Sequence, residues 1–126
     1  QTPQIPEFNI NFNTLNLHQE HEEAHDGIIR FGEDYRIIFT PPEDWTNKHW
    51  IGIFHSDEDY YYNYLDYRYV QPHMCINHNE DYYMNWYIDP SWTEYRDKFV
   101  EFRYYLSTPG LSPSRLLGKS KLFLLK

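Results

Sequence analysis

Apolar and aromatic residues recur at every second position along several stretches of this chain. A period of two places these side chains on one face of a β-strand, because successive side chains of a strand point to opposite sides. The clearest sets are Tyr35, Ile37 and Phe39; Tyr82, Met84, Trp86 and Ile88; and Val100, Phe102, Tyr104 and Leu106. The pattern predicts a chain built mainly from β-strands, with these rings in its core.

Further strands are indicated between these sets, with turn signals at intervals of about ten residues. Residues 8–12 alternate after two prolines and suit an edge strand. A turn near Gly32 divides residues 28–40. The run from Trp50 to Phe54 is predicted as a short buried strand, in which Gly52 marks a close approach of another backbone. Seven or eight short antiparallel strands of this kind are typical of a β-sandwich.

The segment that precedes Gly27 is polar and rich in histidine. Asn16 can cap a helix, Gln19 can complete a capping box and Gly27 can end the helix. Residues 17–26 are therefore predicted as either one short helix or a loop. The chain is interpreted as a single domain in two parts: residues 1–27 hold the N-terminal edge strand and the His-rich segment, and residues 28–126 form the sandwich.

Composition narrows the range of partners. The chain has 126 residues, a formal net charge of -8 and a pI near 5.2. Affinity for nucleic acid comes mainly from clustered Lys and Arg, so a nucleic-acid partner is excluded. No apolar run reaches the roughly 18 residues of a transmembrane helix, so no membrane insertion is expected. Aromatic residues make up 20% of the chain, with 13 Tyr, and some of these rings must lie at the surface.

Two single residues bear on the environment of the protein. Cys75 is the one cysteine in the sequence, which excludes an internal disulfide. The residue is either a buried thiol or one half of an intermolecular bridge. The sequence starts at Gln1 rather than Met, which indicates a processed product or an excised domain. Processing of this kind favours a secreted protein.

Five blocks of sequence resemble the SKICH domain in order and spacing over residues 28–125. They are Tyr35-Arg-Ile-Ile-Phe-Thr40, Trp50-Ile-Gly-Ile-Phe54, Tyr67-Arg-Tyr-Val70, Glu101-Phe-Arg-Tyr-Tyr105, and Leu117-Gly-Lys-Ser120 with Phe123. The SKICH domain is an immunoglobulin-like β-sandwich of autophagy receptors and of some inositol polyphosphate 5-phosphatases. The resemblance implies an immunoglobulin-like β-sandwich here, and a non-catalytic domain that binds partners.

A His-Glu-x-x-His motif lies in the polar segment, at His21, Glu22 and His25. On a helix, histidines four residues apart can bind Zn²⁺ with the glutamate as general base. His18 would extend this cluster by one turn. The flanks lack the apolar face that would bury an active-site helix, so a solvated polar segment is preferred, and metal binding by His18, His21 and His25 is an alternative. We expect neither an enzyme nor a bound cofactor.

Surplus tyrosines define the predicted binding surface. Tyr83 and Tyr87 lie opposite the core face of their strand, and Tyr60, Tyr62 and Tyr64 are predicted to lie beside them. Tyr rings interleaved with acidic residues suit an extended protein segment or the stacking of sugar rings. The predicted function is recognition of a protein partner through an aromatic, acidic sheet surface. A secreted carbohydrate-binding or structural protein is one alternative, and packing of these rings under loops or in a homodimer interface is another.

Overall fold

The structure is a computed structural model, and it describes residues 10–16, 19–23, 27–40, 49–71, 74–77, 81–107 and 114–126. Within these ranges the chain forms eleven β-strands and a 3-10 turn at Thr93–Tyr95. In chain order the strands are β1 (Ile10–Asn16), β2 (Gln19–Glu23), β3 (Ile28–Ile29), β4 (Asp34–Phe39), β5 (His49–His55), β6 (Asp66–Tyr69), β7 (Cys75–Asn77), β8 (Asp81–Tyr87), β9 (Phe99–Leu106), β10 (Arg115–Lys119) and β11 (Phe123–Leu125). Eight of them have four residues or more, in agreement with the seven or eight strands predicted.

Two sheets pack face to face as a β-sandwich. The five-stranded sheet has the order β2-β1-β4-β8-β7, and the six-stranded sheet has the order β3-β11-β9-β5-β6 with β10 also paired to β9. In the letters of the immunoglobulin fold, β1, β4, β8 and β7 correspond to strands A, B, E and D of one sheet. In the other sheet, β10 and β11 together correspond to G, β9 to F, β5 to C and β6 to C′. This is the immunoglobulin order, as expected. β3 runs parallel to β11, so the pairing there is not antiparallel as predicted.

The core between the sheets is built from the alternating sets that the sequence indicates. The buried rings include Tyr82 at 4% exposure and Trp86, Phe102 and Tyr104 at 0%, so these side chains lie in the interior as predicted. Removing a large apolar side chain from water stabilises a fold by roughly 1.5–3 kcal/mol. One polar side chain, His49, is also buried there, and its Nδ1 lies 2.7 Å from the Tyr104 hydroxyl. That hydrogen bond lets the imidazole stay inside the core.

Two turns end strands where the sequence predicts them. Gly32 lies between β3 and β4 with a φ of +79°, a left-handed conformation that favours glycine. Its backbone N–H donates to the Ile88 carbonyl at 2.7 Å, which ties this turn to the end of β8. After β8, the Asp89 Oδ1 accepts a hydrogen bond from the Ser91 backbone N–H at 2.8 Å and closes the turn at Pro90.

The N-terminal segment differs from its prediction. Gln19–Glu23 form β2, which pairs antiparallel with β1 and replaces the helix predicted near residues 17–26. β1 lies between β2 and β4, so it is not the edge strand that its prolines indicate. An isolated helix of this length is marginal in water, whereas pairing with β1 satisfies backbone groups of β2 and covers an open edge. The sandwich therefore includes strands from both parts of the predicted division at residue 28.

Candidate functional site

The outer face of the six-stranded sheet carries a second cluster of aromatic side chains. On β5, Ile51 and Ile53 point into the core, so Trp50 and Phe54 point outward. Both outward rings are nevertheless 0% exposed, and Tyr105 on the neighbouring β9 is 4% exposed. Trp50, Phe54 and Tyr105 form a cluster separate from the main core, which we call the outer cluster. A strand face that would otherwise meet water is thus buried.

Gly52 makes room for the outer cluster. Trp50 and Tyr105 stack with their ring centroids 4.6 Å apart, and the Phe54 and Tyr105 centroids are 5.8 Å apart. A Cβ atom at Gly52 would lie 2.7 Å from Phe54 Cε1 and 3.0 Å from Trp50 Cζ3. These distances are shorter than a normal carbon–carbon contact of about 3.5–4.0 Å. The sequence predicts a close approach of another backbone at Gly52, and the structure places two aromatic rings there instead.

Tyrosines from the 60–65 loop and from β6 cover the outer cluster. Partly buried against it are Tyr61, Tyr64, Tyr67 and Tyr69. The Trp50 ring meets Tyr64 edge-on at a centroid distance of 5.9 Å and Tyr67 at 6.0 Å. Edge-to-face contacts of this kind are favoured by the charge distribution of aromatic rings. These contacts fix the inner tyrosines on the strands below them.

Two tyrosines of the same loop stay in contact with solvent. Tyr60 is 51% exposed and Tyr62 is 50% exposed, and their ring centroids lie 6.2 Å apart. The Glu58 Oε2 accepts a hydrogen bond from the Tyr60 backbone N–H at 3.1 Å. That hydrogen bond lowers the pKa of Glu58 and anchors the start of the loop. The loop therefore presents two half-exposed rings from a supported position.

A buried ion pair lies beside the outer cluster on β9. Arg103 Nε donates to Glu101 Oε2 at 3.1 Å, and the two side chains are only 8% and 6% exposed. The Arg103 guanidinium also lies over the Phe54 ring, 4.6 Å from its centroid, and its Nη2 donates to the His55 carbonyl at 3.5 Å. Burial raises the pKa of the Tyr105 hydroxyl, and Arg103 partly offsets that rise. The two charges are thus satisfied within the protein.

A groove of about 380 Å³ opens over this ion pair. The loop acids Glu58 and Asp59, the Tyr61 ring, Ser114 and Lys119 line it together with the ion pair itself. The Ser114 Oγ is buried and has no hydrogen-bond partner among the described residues. Because Glu101 and Arg103 neutralise each other, the remaining charged groups are two carboxylates and one ammonium. The groove is therefore slightly acidic and has an aromatic wall.

The structure does not bring the five predicted tyrosines onto one surface. On β8, Met84 and Trp86 point into the core, so Tyr83 and Tyr87 lie on the outer face of the five-stranded sheet. Arg36 lies over the Tyr83 ring, 4.9 Å from its centroid, and Tyr87 is 42% exposed. The loop that holds Tyr60, Tyr62 and Tyr64 covers the opposite face of the sandwich. The two groups of tyrosines are thus separate surfaces.

The histidine motif lies around β2. Because Gln19–Glu23 form a strand, His21 is not on the helix that the zinc-binding spacing requires. His18 and His25 lie outside the described residues. Within the ranges that the structure covers, no group of three His, Cys, Asp or Glu side chains is placed to hold a metal ion. Cys75 is partly buried on β7, and its two interpretations stay open.

The outer cluster was not predicted from the sequence, although a signal for it exists. The run from His49 to Phe54 is largely apolar at both odd and even positions, which is typical of a strand covered on both faces. On β9, Glu101 and Arg103 alternate with core residues and therefore share the outward face. A pair of opposite charges between rings on that face indicates burial of the pair.

Neither a protein-family model nor a curated protein matches this chain, so the resemblance to the SKICH domain stays a prediction. No helix among the described residues is long and apolar enough to cross a membrane. The chain is thus an immunoglobulin-like β-sandwich with a tyrosine-covered aromatic cluster on one outer face.

Proposed function

We propose that the chain is a non-catalytic recognition module that binds an extended segment of a protein partner on the tyrosine-covered face. The observation that carries this proposal is the half-exposure of Tyr60 and Tyr62, at 51% and 50%. Each of these rings contacts a partly buried tyrosine that covers the outer cluster, Tyr61 for Tyr60 and Tyr64 for Tyr62. Exposed tyrosines on a supported surface give contact area at a low cost in conformational entropy.

The support beneath the exposed rings favours binding over simple packing. The ring centroids of Tyr62 and Tyr64 lie 6.1 Å apart. The Tyr64 ring in turn contacts both Trp50 and Phe54 edge-on. The exposed rings are therefore linked to the sheet by a chain of ring contacts. Tyr and Trp are enriched at protein interfaces because they combine apolar area with a polar group.

The groove indicates the chemistry of the partner. Glu58 and Asp59 line it beside the Tyr61 ring, and a Lys or Arg side chain can pair with a carboxylate while it packs on an aromatic face. Its buried charges, Glu101 and Arg103, already bind each other at 3.1 Å, which disfavours a catalytic role for either. We therefore propose a partner segment with a basic residue next to apolar ones. The resemblance to the SKICH domain implies the same type of function.

The proposal is tested by panning the immobilised chain against a random peptide library and measuring the Kd of the recovered peptides. The double variant Tyr60→Ala/Tyr62→Ala is expected to weaken binding by at least about tenfold, as loss of interface hot spots does. Tyr87→Ala is the matched control, because Tyr87 is 42% exposed on the opposite face, and it is expected to leave the Kd unchanged. Recovered peptides that carry no basic residue, or that bind both variants equally, would contradict the proposal.

The same two variants decide the carbohydrate alternative. The flat rings of Tyr60 and Tyr62 also suit stacking on sugars, so the chain is screened on a glycan array in parallel. Glycan binding that is lost in the double variant, with no peptide recovered from the library, would replace a protein partner by a carbohydrate on the same face.

A further inference from the structure

Among the strands that the structure describes, β6 is the outermost strand on one side of the six-stranded sheet. It pairs with β5 and, among the described strands, with no other. An open edge presents backbone N–H and C=O groups that can pair with another strand. Tyr67 and Tyr69 on β6 also belong to the rings that cover the outer cluster, so a strand added at this edge would extend the tyrosine-covered face.

The register of β6 on β5 shows which backbone groups point to the open edge. The Val70 N–H donates to the His49 carbonyl at 3.0 Å, and Ile51 lies opposite Arg68 in the same register. Because hydrogen-bonded pairs alternate along an antiparallel ladder, the backbone groups of Arg68 point to β5. Those of Tyr67 and Tyr69 point away from the sheet. The Tyr67 N–H is currently bonded to the Asp66 Oδ1 at 2.8 Å.

We propose that this edge pairs antiparallel with the same edge of a second copy of the chain, with Tyr67 opposite Tyr67 of the second copy. Only outward-pointing residues can form hydrogen-bonded pairs, so the registers that pair Tyr67 within β6 place it opposite either Tyr67 or Tyr69 of the other strand. The first register places Asp66 opposite Arg68 twice. The second places Arg68 opposite Arg68, which like charges disfavour. The sequence of β6 is thus self-complementary in one register.

The groups needed for this pairing are available at the edge. The Arg68 side chain is exposed to solvent, and its Cζ lies 5.4 Å from the centroid of the Trp86 ring. Asp66 is half-buried, and burial raises the pKa of its carboxyl. On pairing, the Tyr67 N–H exchanges the Asp66 carboxylate for a carbonyl of the second copy. The carboxylate exchanges that N–H for an Arg68 guanidinium, so both groups of this hydrogen bond keep a partner.

The pairing has a consequence for recognition. A two-fold axis through the Tyr67 pair, perpendicular to the sheet, leaves both tyrosine-covered faces on the same side of one continuous sheet. The dimer would therefore present two copies of the surface side by side, and a partner with two binding segments would gain affinity through effective concentration. This consequence rests on the proposed function, whereas the dimer itself does not.

The test is sedimentation velocity of the chain over a concentration series, with charge variants of the edge. Arg68→Glu and Asp66→Arg are each expected to weaken self-association by at least about tenfold, an effect that the loss of two ion pairs can supply. The charge-swapped double variant Asp66→Arg/Arg68→Asp is expected to restore it. Arg36→Glu, on the outer face of the five-stranded sheet, makes the same charge change as Arg68→Glu and is expected to leave self-association unchanged. Circular dichroism melting of each variant checks that it folds.

Two results would overturn the proposal. One is a chain that stays monomeric at every concentration, and the other is a dimer that the swapped variant does not restore. Hydrogen exchange at the Tyr67 and Tyr69 amides is expected to slow as concentration rises, and no change in protection would also count against it. Monomeric Arg68→Glu is expected to bind the library peptides with the wild-type Kd. Failure of the dimer and failure of the recognition surface are therefore separate outcomes.

Discussion

The two outer faces of the sandwich use similar residues in different ways. On the five-stranded sheet, Arg36 donates to Asn85 at 3.2 Å and lies over the Tyr83 ring, in contacts that remain accessible to water. On the six-stranded sheet, Arg103 makes the same two types of contact, with Glu101 and with the Phe54 ring, but it is buried. The difference lies in the loop that follows β5, because its tyrosines cover one face and nothing comparable is described over the other.

The stability of Trp50→Ala tests whether the outer cluster is a second core or only a surface cluster. Trp50→Ala removes a ring with 0% exposure from beneath the tyrosine loop, so we expect a loss of about 3–5 kcal/mol in the free energy of unfolding. Trp86→Ala in the main core is expected to cost a similar amount. Tyr87→Ala, on the exposed face, is expected to stay within about 0.5 kcal/mol of the wild type. Urea denaturation of the three variants measures this.

A small loss of stability in Trp50→Ala would contradict the interpretation of the outer cluster as a second core. If Trp50→Ala behaved like Tyr87→Ala, the tyrosine loop would contribute contacts without stabilising the fold. The Trp50 Nε1 has no hydrogen-bond partner among the described residues, so Trp50→Phe separates the two contributions of the side chain. It removes the unpaired donor and keeps a ring, and we expect it to cost far less than Trp50→Ala.

A second prediction concerns Arg103 and Arg36, whose partners are expected to differ in how much they stabilise the fold. Glu101→Gln leaves the Arg103 charge buried without a carboxylate, and breaking a buried ion pair in this way costs about 3–5 kcal/mol. Replacing both members, as Glu101→Leu/Arg103→Met, is expected to cost less than the single variant. On the exposed face, Asn85→Ala removes the partner of Arg36 and is expected to cost under about 1 kcal/mol. Chemical denaturation of the three variants orders these costs, and equal costs for the single and double variants on β9 would show that Arg103 does not need Glu101.

The core was predictable from the sequence to a greater extent than the outer face. Alternation placed Trp86 and Phe102 in the core, because one face of each of these strands is apolar and the period admits one solution. The same alternation makes Tyr83 and Tyr105 equivalent, since both are tyrosines on an outward face. Which of them is covered depends on where the 60–65 loop folds, and this is set by contacts between residues far apart in sequence.

The N-terminal strands and the tyrosine surface show the same limit. Polar residues such as Gln19 and Glu23 indicate a helix cap or a loop locally, and their place in a strand comes from pairing with β1. Tyr60 and Tyr83 were predicted to lie together because both are surplus aromatics, although the loop of Tyr60 covers one sheet and Tyr83 lies on the other. Local patterns therefore predict the elements and the class of fold, and they leave the assignment of surfaces to tertiary contacts.

A third prediction concerns the space that lets the outer cluster form. Gly52→Ala would place a Cβ atom 2.7 Å from Phe54 Cε1, so one of the rings must move, and overpacking of this kind costs about 1–3 kcal/mol. If the Phe54 ring is the group that clashes, the same substitution in a Phe54→Leu background is expected to cost less. The double-mutant cycle measures this coupling directly. Additive costs for the two substitutions would show that the strain lies in the backbone or at the Trp50 ring, whose Cζ3 would be 3.0 Å from the added Cβ atom.

Glu58 and Asp66 lie at the two ends of the tyrosine loop, and their small contributions to stability are expected to depend on pH in opposite directions. The hydrogen bond from the Tyr60 N–H lowers the pKa of Glu58 below 4.5, so this carboxylate stabilises the fold above that pH. Its contribution is lost as the pH falls through the folded-state pKa. Burial raises the pKa of Asp66 above 3.8, so its contribution is fully present below that pH. The contribution of Asp66 is lost as the pH rises through its own folded-state pKa.

Urea midpoints of the wild type, Glu58→Gln and Asp66→Asn, measured from about pH 3 to pH 7, separate the two carboxylates. The deficit of Glu58→Gln relative to the wild type is expected to shrink in acid. The urea midpoint of Asp66→Asn is expected to rise relative to that of the wild type as the pH rises. The reason is that the amide keeps an acceptor for the Tyr67 N–H without a charge to desolvate. A deficit of Glu58→Gln that stays constant into acid would show that the hydrogen bond from the Tyr60 N–H does not favour the ionised Glu58 carboxylate. An Asp66→Asn profile that runs parallel to the wild type would show in the same way that burial does not disfavour the ionised Asp66 carboxylate.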